Sequence, residues 1–178
     1  MRIGILIGFA IALSVTDARA TDAQSPGTYR LAICAGPCAS SDSGVVRGSL
    51  VLFRDPIRVD TLTAATRAAL ARDQLLVRRA VPVNACFALR RSASHIDGRE
   101  LYAGIIERSF THWVSDGPLT RVMLYLSPDA SYTITGTFDG SVYSGSGGQV
   151  NCCGGVNPTT SFRAVRVGEP DLGACLSR

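Results

Sequence analysis

The chain contains no lysine, so all 18 of its basic residues are arginines. Arginine codons are GC-rich and lysine codons AT-rich, which indicates a GC-rich bacterial genome. The arginines are spread along the sequence, with only short pairs at 78–79 and 90–91. A protein that binds nucleic acid concentrates its positive charge on one run or face. With a net charge of only +4, we expect no nucleic-acid partner.

Motifs for metals, phosphates and hydrolysis are also missing. No two cysteines have the C-x-x-C spacing that zinc sites commonly use. The glycine-rich residues 145–148 lack the Lys and Ser or Thr of a phosphate-binding loop. The G-x-S-x-G turn of hydrolases is absent as well. We therefore expect no metal site and no cofactor.

The chain has one long hydrophobic run, and it lies at the N-terminus. Arg2 precedes the apolar residues 3–15, and Ala18-Arg19-Ala20 follows them. These are the three parts of a secretory signal peptide, and the run is short for a membrane span. We predict a signal peptide over 1–20, a flexible leader over 21–26 and a single disulfide-linked β domain over 27–178. The protein is then periplasmic or secreted, with no membrane anchor.

Apolar and polar residues alternate through most of the remaining sequence, which is typical of half-buried strands. In residues 131–138, aromatic and aliphatic side chains take one face and threonines take the other. Turn signals at Pro128 and Asp139-Gly140 separate three predicted antiparallel strands, 119–126, 131–138 and 141–145. The pattern predicts a mainly β protein: an antiparallel meander of about eight strands that closes into a small β-barrel, or alternatively a β-sandwich.

Two segments depart from this alternation. Residues 61–73 are rich in alanine, and Asp60 is suited to cap a helix, so we predict a short helix there. Residues 145–159 combine many glycines with Cys152 and Cys153. For this segment we predict a loop that the cysteines hold in place.

Six cysteines follow the predicted signal peptide, and in an exported chain they indicate three disulfides. They are Cys34, Cys38, Cys86, Cys152, Cys153 and Cys175. The neighbours Cys152 and Cys153 are poorly placed to bond each other, because Cα atoms of adjacent residues are only about 3.8 Å apart. We predict that one of this pair bonds Cys175 and so ties down the C-terminal tail.

The segment Cys34-Ala35-Gly36-Pro37-Cys38 resembles the C-G-P-C loop of thioredoxin-like proteins, but its spacing is C-x-x-x-C. Active redox cysteines have a thiol pKa that a helix N-terminus lowers, and nothing after Cys38 is helical in pattern. The two cysteines can bond each other only if the intervening residues turn back sharply. We expect a structural bridge in this part of the chain rather than a redox site.

His112 is the candidate for a catalytic residue. It lies in the predicted strand 101–114 beside Trp113, and Ser115 and Asp116 follow closely. Neighbours along one strand lack the convergent geometry of a catalytic triad. We therefore predict no catalytic residue, and a hydrolase that uses His112 remains an alternative.

The first predicted strand begins with Gly27-Thr28-Tyr29, which is similar to the G-x-W opening of lipocalin-type barrels. Tyr29 stands where that motif has Trp, and no second lipocalin motif follows. The resemblance covers three residues and implies a small secreted barrel. A barrel of about eight strands either holds one small ligand or is filled by its own side chains.

These observations lead us to expect a non-enzymatic exported domain that binds a small apolar ligand or an envelope protein. A structural envelope protein or an inhibitor that presents the loop 145–159 is another alternative. Within that loop, Gly147, Gln149 and Asn151 are the candidate binding residues.

Overall fold

A computed structural model describes residues 26–40, 46–72, 83–91, 107–127, 130–151 and 160–176 of the chain. The predicted signal peptide and most of the leader lie outside these residues. Eight strands account for most of the described chain. They are β1 (Gly27–Cys34), β2 (Val46–Ile57), β3 (Val83–Arg91), β4 (Glu107–Asp116), β5 (Leu119–Ser127), β6 (Ala130–Asp139), β7 (Val142–Asn151) and β8 (Thr160–Gly168).

Each strand pairs with the next in antiparallel fashion, and β8 returns to pair with β1. The sheet is therefore a closed barrel of eight strands in sequence order, which confirms the predicted barrel and excludes the sandwich. Closure leaves no edge strand exposed for pairing with another chain. We call the end that carries residues 117–118 and 140–141 the lower end, and the opposite end, where β1 finishes, the upper end.

Alternation along each strand sends one set of side chains into the barrel. The inward set is almost entirely apolar and forms the main core, because each inward residue is cut off from water by neighbours on the adjacent strands. Its buried members are Tyr29, Leu31, Ile33, Val46, Leu50, Leu52, Ala85, Phe87, Leu89, Val122, Leu124, Tyr132, Ile134, Tyr143, Phe162 and Ala164.

Two tight hairpins close the lower end. Gly117 and Pro118 connect β4 to β5, since Asp116 pairs with Leu119. Gly117 has φ +56°, a backbone angle that residues with a Cβ rarely adopt. The β6–β7 loop consists of Gly140 and Ser141, one residue later than the sequence signal predicts, because Asp139 pairs with Val142.

The loop prediction for 145–159 is wrong for residues 145–151, because they belong to β7. Gly145 and Gly147 occupy inward positions, where Gly145 pairs with Phe162 and Gly147 with Ile134. A Cβ on Gly147 would collide with the Tyr132 ring. Gly147 therefore makes room for the Tyr132 ring, whereas a Cβ on Gly145 would collide with the backbone of β6 at Thr135 and Gly136. Both glycines erase the apolar alternation by which a strand is recognised. Residues 152–159 lie outside the described part of the chain.

The connection from β2 to β3 contains a 3₁₀ turn (Val59–Thr61) and the helix α1 (Ala64–Arg72), which confirms the predicted helix in substance. Its predicted cap is wrong. Thr63 caps the helix, since its Oγ1 accepts a hydrogen bond from the backbone N–H of Thr66 at 3.1 Å. Asp60 lies in the 3₁₀ turn instead, where its carboxylate is 3.6 Å from Arg58.

After β8 the chain crosses the outside of the barrel toward a short helix, α2 (Gly173–Leu176). Thr28 on β1 holds this tail, because its hydroxyl donates to the carbonyl of Glu169 and accepts from the N–H of Asp171. The tail covers a second apolar cluster on the outer face of β2, β3 and β4. Its buried members are Val51, Val83, Cys86, Phe110 and Cys175.

Two disulfides are present among the described residues. Cys34 bonds Cys38, so Ala35-Gly36-Pro37 does turn back. Cys175 bonds Cys86, across 89 residues of sequence. The prediction that Cys175 bonds Cys152 or Cys153 is therefore wrong, because the tail lies against β3, which carries Cys86. Cys152 and Cys153 themselves lie outside the described residues.

Candidate functional site

The interior of the barrel is filled by its own side chains. Phe138 stacks on Tyr143 with ring centroids 4.6 Å apart, and Phe162 meets the edge of Tyr143 at 4.7 Å. The buried phenols have partners: Tyr143 donates to the carbonyl of Thr120 at 2.8 Å, and the Tyr132 hydroxyl bonds the Thr160 hydroxyl. Among the described residues, the interior is thus a packed core.

Burial changes the acidity of two of these phenols. Desolvation raises the pKa of Tyr29 from 10.0 to about 12, and the nearby positive charge of Arg166 opposes part of that rise. Desolvation also raises the pKa of Tyr143. Both residues therefore stay neutral at physiological pH and serve as structural groups in the core.

Trp113 closes the core toward the lower end. Its indole N–H donates to the carbonyl of Phe53 at 3.0 Å, at the point where β2 leaves its regular pairing with β3. The Asn84 side chain accepts from the backbone N–H of Trp113 at 2.9 Å and donates to its carbonyl at 3.4 Å. Side-chain bonds thereby continue the contact between β3 and β4 beyond the last backbone pair.

The structure does not bring together a catalytic set around His112. His112 points to the outer face of β4, where its ring lies 5.9 Å from that of Tyr125. Ser115 occupies an inward position, and its hydroxyl bonds Thr120 at 3.2 Å. Asp116 lies at the hairpin beyond both. Ser115 therefore lies on the opposite face of the wall from His112.

The three candidate binding residues of the predicted loop lie in β7. Gly147 is buried at an inward position, whereas Gln149 pairs with Tyr132 and Asn151 with Ala130 near the upper end. Their role in binding stays a prediction.

A groove of about 560 Å³ lies at the lower end of the barrel. Four of its lining residues are apolar or proline, and four are charged with both signs represented. They are Pro26, Phe53, Ile57 and Pro170, together with Arg54, Asp55, Arg166 and Glu169. Arg166 and Glu169 form an ion pair of 2.7 Å across the rim. The Glu169 side chain is 84% exposed, so the groove is open to solvent.

The second surface is a group of arginines on the outer wall near the upper end, which we call the arginine wall: Arg30, Arg47, Arg90 and Arg163. Arg47 on β2 pairs directly with Arg90 on β3. On its other side, Arg47 pairs with Ala32 of β1, and Ala32 in turn pairs with Arg163 of β8. One cross-strand row therefore holds three arginines, and Arg30 lies in the adjacent row.

Most acidic residues of the described chain lie away from this wall, but Asp139 shares the cross-strand row of Arg30 through Val165 and Val142. Three of them lie in or beside the lower-end turns, at Asp55, Asp116 and Asp139, and the tail adds Glu169 and Asp171. The remaining ones are Asp60 in the 3₁₀ turn and Glu107, which pairs with inward-facing Leu89.

Sequence reasoning missed the arginine wall because its members are far apart in the chain. The sequence does indicate that these arginines are exposed, since each one occupies a polar position of an alternating strand. Their proximity depends on the pairing register of β3, β2, β1 and β8, which alternation does not specify.

No family model, curated protein or solved structure matches this chain. Among the described residues, no group of three or more His, Cys, Asp or Glu side chains is arranged to hold a metal ion. Neither α1 nor α2, the helices of the described chain, is long and apolar enough to cross a membrane. The disulfides are compatible with an extracellular or periplasmic location.

Proposed function

We propose that this protein is an exported, non-enzymatic binding domain that holds a segment of a partner protein in its lower-end groove. Export is supported by the signal-peptide pattern of residues 1–20 and by the disulfides Cys34–Cys38 and Cys86–Cys175. The filled interior is the observation that carries the proposal. Because core side chains occupy the described interior, binding on the outside of the barrel is favoured.

A small apolar ligand fits this geometry less well than a protein does. Sites for small molecules enclose most of the ligand's surface, whereas the described interior is occupied by rings such as Tyr143 and Phe162. The groove is lined by apolar residues such as Phe53 and by charged residues of both signs. That arrangement is typical of protein interfaces, which have an apolar centre and a polar rim.

The hydrolase alternative loses its geometric support. A triad needs its serine and histidine within hydrogen-bond reach. Ser115 faces inward and bonds Thr120, while His112 faces outward toward Tyr125. The inhibitor alternative loses residues 145–151 of its predicted loop, because they belong to β7.

The proposal is tested by site-specific photo-crosslinking in the exporting cell. A photoreactive amino acid replaces Arg54, which lies on the groove, or Arg121, an exposed control on the wall of β5. We expect a discrete adduct of higher mass from position 54 only. Adding Asp55→Arg on the rim should lower its yield, whereas the matched Asp139→Arg, outside the groove, should leave it unchanged.

Two results would count against the proposal. Equal adducts from positions 54 and 121, or none from 54, would remove the groove as the interface. Saturable binding of one fluorescent fatty acid per chain would restore a ligand site inside the barrel.

A further inference from the structure

We propose that the lower-end groove selects an extended partner segment in which a basic side chain lies between two apolar ones. This inference rests on the proposed function, since it names the chemistry of the segment that the groove would hold. It is carried by Asp55, a carboxylate that lies between Phe53 and Ile57 on β2 and lines the groove together with both of them.

The groove is wide enough for one extended chain. β1 lies between β2 and β8, and its first residue, Gly27, pairs with Leu52. Beyond that pair β2 continues for five residues to Ile57, and the chain after β8 continues along the groove to Pro170. In the described chain only Pro26 precedes Gly27. Because adjacent strands lie about 4.8 Å apart, the two walls stand roughly 10 Å apart, which leaves the width of one strand between them.

Phe53 and Ile57 supply the apolar surface of the β2 wall. Both are half-buried, and both pack against the second apolar cluster, which the C-terminal tail covers. A segment that covers their remaining surface removes apolar area from water, which favours binding. An extended chain sends every second side chain to one face, so its residues i, i+2 and i+4 match the spacing of Phe53, Asp55 and Ile57.

Asp55 differs from the other charged residues of the groove in its partners. Arg166 and Glu169 form an ion pair of 2.7 Å with each other, and Arg54 takes part in an interaction within the chain. Within the described part of the chain, no ion pair or hydrogen bond holds the exposed carboxylate of Asp55. The groove therefore offers one unmatched negative charge to a partner.

Burial of this carboxylate determines which side chain the segment must carry. A segment that covers Phe53 and Ile57 also displaces water from Asp55, which lies between them. An ionised carboxylate that loses its hydration without gaining a partner is strongly destabilising, whereas a cation beside it offsets that cost. A basic residue is therefore favoured at the middle position of the segment, and an acidic or apolar residue is disfavoured.

The test measures binding of short fluorescent peptides to the full chain by fluorescence anisotropy. The probes are Val-Thr-Arg-Thr-Val, the same peptide with Glu in the middle, and Ser-Thr-Arg-Thr-Ser, which lacks the apolar side chains. We expect the first peptide to bind at least about tenfold more tightly than either of the others. Asp55→Arg should reverse the preference between the Arg-centred and Glu-centred peptides. Asp139→Arg is the matched control at an exposed position outside the groove, and it should leave the preference unchanged.

Thermal unfolding of both variants establishes that each is folded. Equal binding of the Arg-centred and Glu-centred peptides would overturn the proposal, as would a preference for Arg that persists in Asp55→Arg. Absence of saturable binding of Val-Thr-Arg-Thr-Val to the unmodified chain would overturn it as well.

Crosslinking from position 54 separates this inference from the proposed function, once mass spectrometry has mapped the adduct. A partner segment without a basic residue between two apolar ones would leave the proposed function intact and overturn the inference. An adduct with residues 21–25 of the same chain, or with a second copy of the chain, would overturn both.

Discussion

The two faces of the same barrel wall follow different rules. Inside, large rings pack against glycines, as Tyr132 does against Gly147, and almost every position is buried. Outside, most residues are polar or charged, and the C-terminal tail covers the buried apolar residues Val51, Cys86 and Phe110. Val114, Leu119 and Val167 stay exposed. The comparison teaches that the apolar residues buried on the outer face are those that the chain itself covers.

The largest expected effect comes from releasing that cover. Cys86→Ser with Cys175→Ser removes a cross-link that spans 89 residues, whereas Cys34→Ser with Cys38→Ser removes one that spans 4. Chain entropy predicts a loss of about 4–5 kcal/mol in the first case and about 2 kcal/mol in the second. Urea unfolding of both variants measures the difference. Equal losses of unfolding free energy would mean that the Cys86–Cys175 cross-link stabilises the fold no more than the Cys34–Cys38 cross-link does.

High pH tests the inner face. An unfolded tyrosine loses its proton near pH 10, but Tyr29 keeps it in the fold until about pH 12. The stabilisation is therefore complete below pH 10 and falls by about 1.4 kcal/mol per pH unit between pH 10 and 12. Because the chain has no lysine, no lysine amine titrates in this range. Tyr29→Phe should reduce the slope of unfolding free energy against pH, and an unchanged slope would contradict the burial of this phenol.

A pair of adjacent glycines compares the two faces directly. Gly147 points inward against Tyr132, while a Cβ on Gly148 would meet nothing within 4 Å. Gly147→Val should lower the free energy of unfolding by about 1–3 kcal/mol through overpacking. Gly148→Val should change it by less than about 0.5 kcal/mol. Chemical denaturation measures both, and similar losses would argue that residues 145–151 do not alternate as β7 requires.

The smallest expected effect has the opposite sign. Arg90→Glu replaces a like-charge pair with an attractive one opposite Arg47, and it should raise the free energy of unfolding by about 0.2–1 kcal/mol. Arg121→Glu is the control, since Arg121 pairs with Val114 and Thr135. It should bring no gain. A loss of stability in Arg90→Glu would show that the arginine pair is a structural element.

Much of the fold could be predicted from the sequence, because alternation reports which residues are buried in a sheet. The strands 119–126 and 131–138 were predicted within one residue of β5 and β6. Alternation failed in β7, where the inward positions at 145 and 147 are glycines rather than apolar side chains. A strand whose inward positions are glycines has no alternation of apolar residues by which the sequence would reveal it.

The candidate surfaces could not be predicted, since they depend on contacts between distant parts of the chain. Cys175 reaches Cys86 only because the tail crosses the outer face of β1 and β2 to reach β3. Arg47 and Arg90 meet only in the observed register. Sequence spacing describes neither the route of a tail nor the register of a barrel.

The central claim is that recognition occurs on the outside of the barrel and that the interior is only a core. Amide chemical-shift mapping during titration with a fatty acid tests this most directly. We predict that the amides of the interior residues Tyr132 and Tyr143 stay unmoved at every concentration. Saturable shifts at these two amides would contradict the account.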